Sequence, residues 1–497
     1  MVNIIDKAIA FFSPKAGLER VRSRMQYDKV RGYDGATLTR RGDGWAVGGN
    51  KNQNQDIQRS ATVLRERSID GYKNNSNVFR AIRTIQNNVV GTGIMPTPIA
   101  KPGDKDISKL ELKKIKNSWE LFVESCDFDE VFNFYGLQSL SVRNTFLQGE
   151  VFVVRQRDAA NKPVPFKLQV MAPQMVDIQK NSLILSDRQG NYVVQGVEFD
   201  SRGRKVGYWM YEYDPKNEYL IRLAPKFVSK EDVIHVFYKD FPEQVRGIPA
   251  GTPAMLNMRD LADYEDAAIM SAKVAASHVA FTTQPAPDGD DLDDETGEGK
   301  NGNEYLEPGL ITRLAPGEEV TFNTPPTPQS YSEYVSKNQQ KNAAGYGITY
   351  EQLTGDMGNV NFSSGRMGWI EANRQVEDWQ HNMFIQQFCK PVWKWFIEGL
   401  MINGVITREF WADWTPQGRE MLDPVKETNG LILKLKSGLI SWTEACKQMG
   451  YNPDAVLAQI KRDKEMFTEA GIEVEWIIEK ATTETAAKNG GGVAAKN

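Results

Sequence analysis

The side chains that could do chemistry are scattered along this chain, and only one group is dense. Asp288, Asp290, Asp291, Asp293, Asp294, Glu295 and Glu298 crowd into residues 288–298. Alternating carboxylates invite a calcium reading, which the spacing can test. With Asp288 as position one, the fifth position is Leu292, the sixth is Asp293 where the turn requires glycine, and the twelfth is Gly299 where a bidentate Glu is required. The run therefore reads as a solvated acidic loop. The three histidines, His235, His278 and His381, lie far apart, as do Cys126, Cys389 and Cys446, and no CxxC occurs. Zinc centres and histidine-based catalysis draw on tighter groups. The cysteines read as reduced, mostly buried thiols of an intracellular protein.

The common catalytic signatures are missing as well. GxxxxGKS/T, HExxH and GxSxG do not occur. Gly91-Thr92-Gly93 lacks the third glycine and the clear preceding strand of a dinucleotide site. Ser441 to Lys464 resembles a helical hairpin with Lys461, Arg462 and Lys464 late in its second helix. A DNA-reading helix presents its N-terminal residues, which here are Pro453-Asp454-Ala455, so a packed hairpin is expected. No enzyme activity, metal or cofactor is expected.

The elements that must position these residues come from length and patterning. The chain has 497 residues, a net charge of −5 and 40% hydrophobic residues, enough for several domains with a sizeable core. The mild acidity argues against gripping nucleic acid over a broad basic face, since that grip comes from neutralising phosphates. No run approaches the ~18 apolar residues of a membrane span, and the start lacks the layout of a signal peptide.

Residues 1–56 read as an arm, with an apolar stretch ending at Ser13-Pro14 and then Arg20, Arg22, Arg24 and Arg31. Helical spacing follows from Ile57 to Asn88, broken near Gly71, and again from Ile107 to Cys126. Strands are expected at 149–155, 166–171, 196–200, 207–211 and 233–237, giving an α+β region. A slim, alanine-rich helix is expected from Ala254 to Phe281, reaching about 40 Å at ~1.5 Å per residue. The acidic, Pro-bounded insert carries two strand candidates, Gly309 to Leu314 and Glu319 to Phe322. A returning helix covers Ser330 to Ala344, then a Gly/Asn-rich break covers Gly355 to Gly365. A long helix runs from Met367 to Met401 with a kink at Pro391. Gly438, a Ser441 capping box, Gly450 and Asn452-Pro453 punctuate the helices near the end, and the tail beyond Lys480 reads as disordered.

Several of these pieces, in order, resemble the lambda-type portal proteins of tailed bacteriophages, from about Ile57 to Gly471. The most specific is Ala343-Ala344-Gly345-Tyr346-Gly347-Ile348-Thr349-Tyr350-Glu351-Gln352-Leu353, followed by Ser363-Ser364-Gly365-Arg366. Gln148-Gly149-Glu150-Val151-Phe152, Gly196 to Asp200, Ile234 to Phe237 and Gln244-Val245-Arg246-Gly247-Ile248-Pro249 support it, as do Gly438 to Ser441 and Gly450 to Pro453.

The resemblance implies a portal-type α+β fold: wing at 57–253, stem helices at 254–283 and 330–353, clip at 284–329, tunnel loop at 354–365, long wing helix at 366–420, helical crown at 421–480 and a disordered tail at 481–497. It implies a self-assembled ring, a dodecamer, at one capsid vertex of the virion, assembled in the host cytoplasm. Double-stranded DNA would pass through it. The large terminase subunit, the major capsid or scaffolding protein and a head–tail adaptor would dock on it, with no membrane involved. Asp356, Met357, Gly358, Asn359, Val360, Asn361, Phe362, Ser363 and Ser364 would form the tunnel loop, Lys337 and Lys341 would line the stem channel, and the acidic run Asp288 to Glu298 would be the clip docking surface. The residues alone leave two other readings open: a structural ring or adaptor that is not a conduit, and an enzyme with an unrecognised site in the α+β region.

Overall fold

A computed structural model describes residues 52–101, 108–182, 190–217, 224–276, 280–283, 319–322, 331–358, 360–418, 421 and 423–472. Contacts divide the chain after Asp56, and the described fold is that of the unit from Ile57 onward. It is α+β. In chain order, α1 (Gln53–Asn74), α2 (Ser76–Val89), β1 (Met95–Ala100), α3 (Lys109–Ser125) and α4 (Phe134–Gln148) precede a strand-rich region. That region holds β2 (Glu150–Arg157), β3 (Phe166–Met171), β4 (Tyr192–Val194), β5 (Val197–Phe199), β6 (Lys205–Met210), β7 (Lys226–Ser229) and β8 (Val233–Phe237). Then come α5 (Met255–Ala276), β9 (Ala280–Thr283), β10 (Glu319–Phe322), α6 (Tyr331–Tyr346), α7 (Tyr350–Thr354) and α8 (Phe362–Asp378). A π-helical stretch (Trp379–Cys389), α9 (Lys390–Ile402), β11 (Phe410–Thr415), α10 (Pro424–Lys436), α11 (Trp442–Gln448) and α12 (Pro453–Glu469) complete it.

The Val151-Phe152-Val153-Val154 run explains how the layers meet. β2 is the middle strand of the antiparallel sheet β3-β2-β8. Its side chains alternate between two faces. Val151 and Val153 join the main core with helices α2, α3, α4 and α9. Phe152 and Val154 join a second core with Val197, Tyr208 and Met210 of the sheet β4-β5-β6-β7. A strand covered on both faces needs a continuous apolar run, and β2 has one. The main core is strongly aromatic: Trp119 meets Phe134 at 5.0 Å, Phe396 at 5.0 Å and Trp393 at 5.2 Å between ring centroids.

Pro391 does perturb the long helix, but as a change of winding that precedes it. The π-helical stretch ends at Cys389, and α9 continues from it without a break, with Pro391 one residue after the change of winding. The stretch aims two glutamines at orphan backbone groups. Gln380 Nε2 donates to Val89 O at 2.9 Å, capping the end of α2. Gln387 Oε1 accepts from Phe237 N at 2.9 Å, on β8.

Other expectations shift in detail. The break between α1 and α2 falls at Asn75, whose side chain accepts from Asn77 N and Val78 N; Gly71 stays inside α1. The helix expected to reach Phe281 ends at Ala276, and Phe281 lies in β9, paired antiparallel with β10. Phe281-Thr282-Thr283 is β-branched and aromatic, and β10 supplies the ladder such residues favour. The strand candidate Gly309 to Leu314 lies outside the described residues. β1 and β11 were not legible in the sequence. β1 contains Pro96 and Pro98, which argue against a strand except at an edge, and among the described residues its sheet partner is β11 alone.

One backbone crossing is tight enough to test. A Cβ on Gly247 would lie 2.0 Å from Gly149 O, and one on Gly149 would lie 2.4 Å from Ile248 C. Gly149 also has φ +91°. Gly247→Ala is expected to cost at least the ~1–3 kcal/mol of an overpacked site, read as a lowered thermal unfolding midpoint.

Candidate functional site

α5 and α6 form an antiparallel pair. Asn257 Nδ2 donates to Asn342 Oδ1 at 2.7 Å and to Asn338 O at 3.3 Å. Further along, the Tyr264 ring lies 4.7 Å from Tyr334 and 5.9 Å from Tyr331. Asn338, Asn342 and Ala343 are buried against α5, so the positions one residue earlier on that turn, Lys337 and Lys341, are exposed. The two lysines are four apart and share a helix face.

α6 leads into the loop that the sequence singled out. Gly347, with φ +71°, turns the chain. Thr349 and Gln352 form a reciprocal capping box that starts α7, and Gly355, with φ +77°, ends it. Leu353 is fully buried, and Arg80 Nε donates to Gln352 O at 3.0 Å, so α7 is anchored to α2. The loop then curls on itself. Gly358 N donates to Asp356 Oδ1 at 2.9 Å, and Val360 N donates to Met357 O at 3.1 Å. Asn361 Oδ1 accepts from Ser364 N at 2.8 Å while Ser364 Oγ accepts from Asn361 N at 3.1 Å.

That second capping box corrects the loop boundary. Phe362, Ser363 and Ser364 form the first turn of α8, and only Asp356, Met357, Gly358, Val360 and Asn361 are described as loop; Asn359 lies outside the described residues. An N-cap pair satisfies helix-start donors, so Asn361 and Ser364 hold the helix start. Asp356, Met357, Gly358 and Ser363 remain exposed. The acidic run Asp288, Asp290, Asp291, Asp293, Asp294, Glu295 and Glu298 lies outside the described residues.

A second cluster was not singled out by its chemistry. Glu150 opens β2 and is wholly buried. Its Oε1 accepts from Arg65 Nη2 at 2.5 Å and from Arg246 Nε at 2.7 Å, and its Oε2 accepts from Gly247 N at 2.9 Å and meets His235 Nε2 at 2.8 Å. Arg246, also wholly buried, donates onward to Gln195 O at 2.8 Å and Pro173 O at 3.0 Å. Arg65 Nε donates to Gln148 O at 3.1 Å. Burial opposes ionisation of Glu150, but the Arg246 and Arg65 charges and the His235 hydrogen bond outweigh it and hold the carboxyl well below its ordinary range. Burial, aided by the Lys205 charge, lowers His235 to about 3 against the pull of Glu150. The neutral ring fits its partners: Nε2–H donates to Glu150, and Nδ1 accepts from Lys205 Nζ at 3.4 Å.

Arg65, Glu150, His235 and Arg246 are all buried. Both oxygens of the carboxylate are taken up by these partners and the Gly247 amide, so the cluster ties distant segments together. Cys126 and Cys389 are buried, and burial raises both thiols, which leaves them inert. Among the described residues no group of three or more His, Cys, Asp or Glu could hold a metal ion, and no helix is long and apolar enough to cross a membrane.

A sequence model of the family described as "Phage portal protein, lambda family" matches residues 38–380. The chain belongs to that family. It is 24% identical over 471 residues to the probable portal protein of Halomonas phage phiHAP-1, covering 90% of this chain and 89% of that protein. To portal protein B of Escherichia phage lambda it is 22% identical over 461 residues, covering 82% and 84%. Among solved structures, the neck of a native gene transfer agent particle computed with C12 symmetry aligns at a TM-score of 0.47 with 14% identity, covering 80% of this chain and 94% of that one. A portal protein of the HK97 family from Corynebacterium diphtheriae aligns at 0.32 with 11% identity, covering 73% and 97%.

In this portal protein, the segments Gln148 to Phe152 and Gln244 to Pro249 turn out to meet around Glu150. The sequence carried one signal of that: a lone Glu heading the apolar run Val151-Phe152-Val153-Val154. The cluster also makes a pH prediction. Between about pH 6.5 and 3 the unfolded chain binds a proton at His235 that the folded chain does not, so stability falls as pH falls through that window. Glu150 adds a further loss below its ordinary value of 4.5. Urea midpoints measured from pH 7 to 4 are expected to fall in wild type. They are expected to stay flat down to about pH 5 in His235→Gln, which keeps a donor for Glu150 but cannot protonate there. Glu150→Gln is expected to cost ~3–5 kcal/mol at pH 7, because it strands two buried arginines.

Proposed function

We propose that copies of this portal protein close into a ring at one capsid vertex, and that double-stranded DNA passes through the ring during packaging and ejection. The observation that carries this is the match to the lambda portal family over residues 38–380. The portal ring is a structural part; the motor is a separate terminase docking on it. The α5–α6 pair with its exposed Lys337 and Lys341 is the stem, the lysines lining the channel. The loop from Asp356 to Asn361 is the collar that meets DNA. A conduit must let a polyanion slide, so weak polar contacts and a mildly acidic chain suit it better than a strongly basic groove. Ser363, beside the loop, contributes from the first turn of α8. The insert carrying Asp288 to Glu298 is the clip, and its carboxylates contact terminase or the head–tail adaptor. The α10–α12 helices form the crown, and the strand-rich body is the wing, beside which capsid or scaffolding protein sits.

Electron microscopy of the purified full chain tests the ring reading. A closed ring with an axial hole wide enough for a duplex supports it, and a compact monomer removes it. A closed ring without such a hole would leave a structural adaptor.

Two variants test the assignments within it. Deleting Asp356 to Val360, which spares the Asn361–Ser364 cap, is expected to leave ring assembly intact and to lower the yield of packaged DNA. Normal packaging by such rings would reject the collar. Reversing the charges between Asp288 and Glu298 is expected to weaken terminase or adaptor binding, measured with purified partners. Unchanged affinity would reject this run as the contact.

A further inference from the structure

The last helix of the described fold is thinly held. α12 has 17 residues, and Pro453 at its start is the one that is buried. Side chains tie that same end to the body: Lys116 Nζ meets Asp454 Oδ2 at 2.6 Å, and Asn452 Nδ2 donates to Thr97 Oγ1 at 2.9 Å. A helix draws most of its stability from packing one face. Here a face of α12 borders a cleft of about 690 Å3 instead, with α3 as the opposite wall and the prolines of β1 between them.

The cleft is apolar within and cationic at its walls. Met95, Leu112, Tyr135, Ala455 and Ala458 line it and keep accessible surface. Lys109, Lys113, Lys116 and Arg462 line it against two carboxylates, Glu120 and Asp454, and Asp454 is already matched by Lys116. Lys109, Lys113 and Arg462 are exposed and have no hydrogen-bond or ion-pair partner among the described residues. Three unmatched cations thus stand against one free carboxylate.

The chain itself supplies a complement at the right distance. Gly471, with φ +70°, ends α12: its N–H donates to Thr468 O at 3.2 Å, and Ile472 N donates to Phe467 O at 2.9 Å. This pair of bonds closes a helix and turns the chain off its axis. Residues 473–479 lie outside the described residues and read Glu-Val-Glu-Trp-Ile-Ile-Glu, with three carboxylates and no cation. In an extended segment Val474, Trp476 and Ile478 share one face. Measured back from Gly471 along α12, Arg462 lies about 14 Å away and Ala455 about 24 Å, at ~1.5 Å per residue. Seven extended residues span ~23 Å. The tether also holds the segment beside the cleft at a high effective concentration.

We propose that residues 473–479 fold back along α12 and dock in the α3–α12 cleft of the same chain. Val474, Trp476 and Ile478 meet the apolar lining, and Glu473, Glu475 and Glu479 meet Lys109, Lys113 and Arg462. The contact straps α12 to α3 and β1, and it does not depend on ring assembly.

The test uses the full chain in a Cys446→Ser background, which removes the one cysteine that is not buried. Asn117→Cys, at an exposed position on the cleft wall, and Ile477→Cys are introduced together and treated with a short bismaleimide. The expected result is a link within single chains, read by mass spectrometry of the digested monomer band, and none in either single variant. Adding Lys113→Glu with Arg462→Glu is expected to slow linking about fivefold, because two exposed ion pairs become repulsions. Adding Glu475→Lys with Glu479→Lys to that protein is expected to restore the rate. Far-ultraviolet circular dichroism like that of wild type shows that each variant is folded. No link in folded protein, a link found only between chains, or a rate that the charge reversals leave unchanged would each overturn the proposal. The second of these outcomes would give the cleft to a second copy.

Discussion

Glu150 is the point on which the α+β body depends. A carboxylate removed from water is costly unless charges and donors replace its hydration, and here Arg65, Arg246, His235 and the Gly247 amide do so. They come from three places: Arg65 from α1, His235 from β8, and Arg246 with the Gly247 amide from the segment after β8. Arg246 then spends its remaining donors on carbonyls at Pro173 and Gln195, beyond the first sheet. Displacing any one segment strands a charge or a donor in the interior. The cluster thus fixes how the helical layer, the three-stranded sheet and the four-stranded sheet stand against one another.

The same constraint explains the glycines. Arg246 can reach Glu150 only if the chain at Gly247 passes directly over Gly149, where a Cβ on either would strike backbone. The two segments are far apart in sequence, and each is unremarkable alone. Together they form one crossing. From this fixed body α5 departs and α6 returns to a well-anchored α7. The loop before α8 is therefore short and stiffly bounded: Gly355 closes one side and the Asn361–Ser364 box closes the other. The buried charges are saturated and the buried thiols are held protonated.

Much of the architecture was legible from local chemistry. The helix starts at Asn452 and Ser441, the stops at Gly438 and Gly450, and strands β2, β3, β6 and β8 follow from capping, turn and alternation signals that act over a few residues. The boundaries that moved did so where a partner far along the chain competed with local preference. Phe281 left the helix for β10. Pro391 was accommodated by a change of winding upstream. Phe362 to Ser364 joined α8 because Asn361 and Ser364 cap each other, which a count of glycines and asparagines does not reveal.

By itself the sequence determined the class of the protein: helices and strands in a portal-like order, no catalytic signature, and a polar loop between two helices. Those properties reside in short-range spacing and in motif order. Only the tertiary structure decided that Glu150 is a buried keystone and that proline-bearing β1 is a strand paired with β11. Each of these depends on which distant backbone arrives alongside, and hydrogen-bond satisfaction between such segments leaves no local mark in the chain.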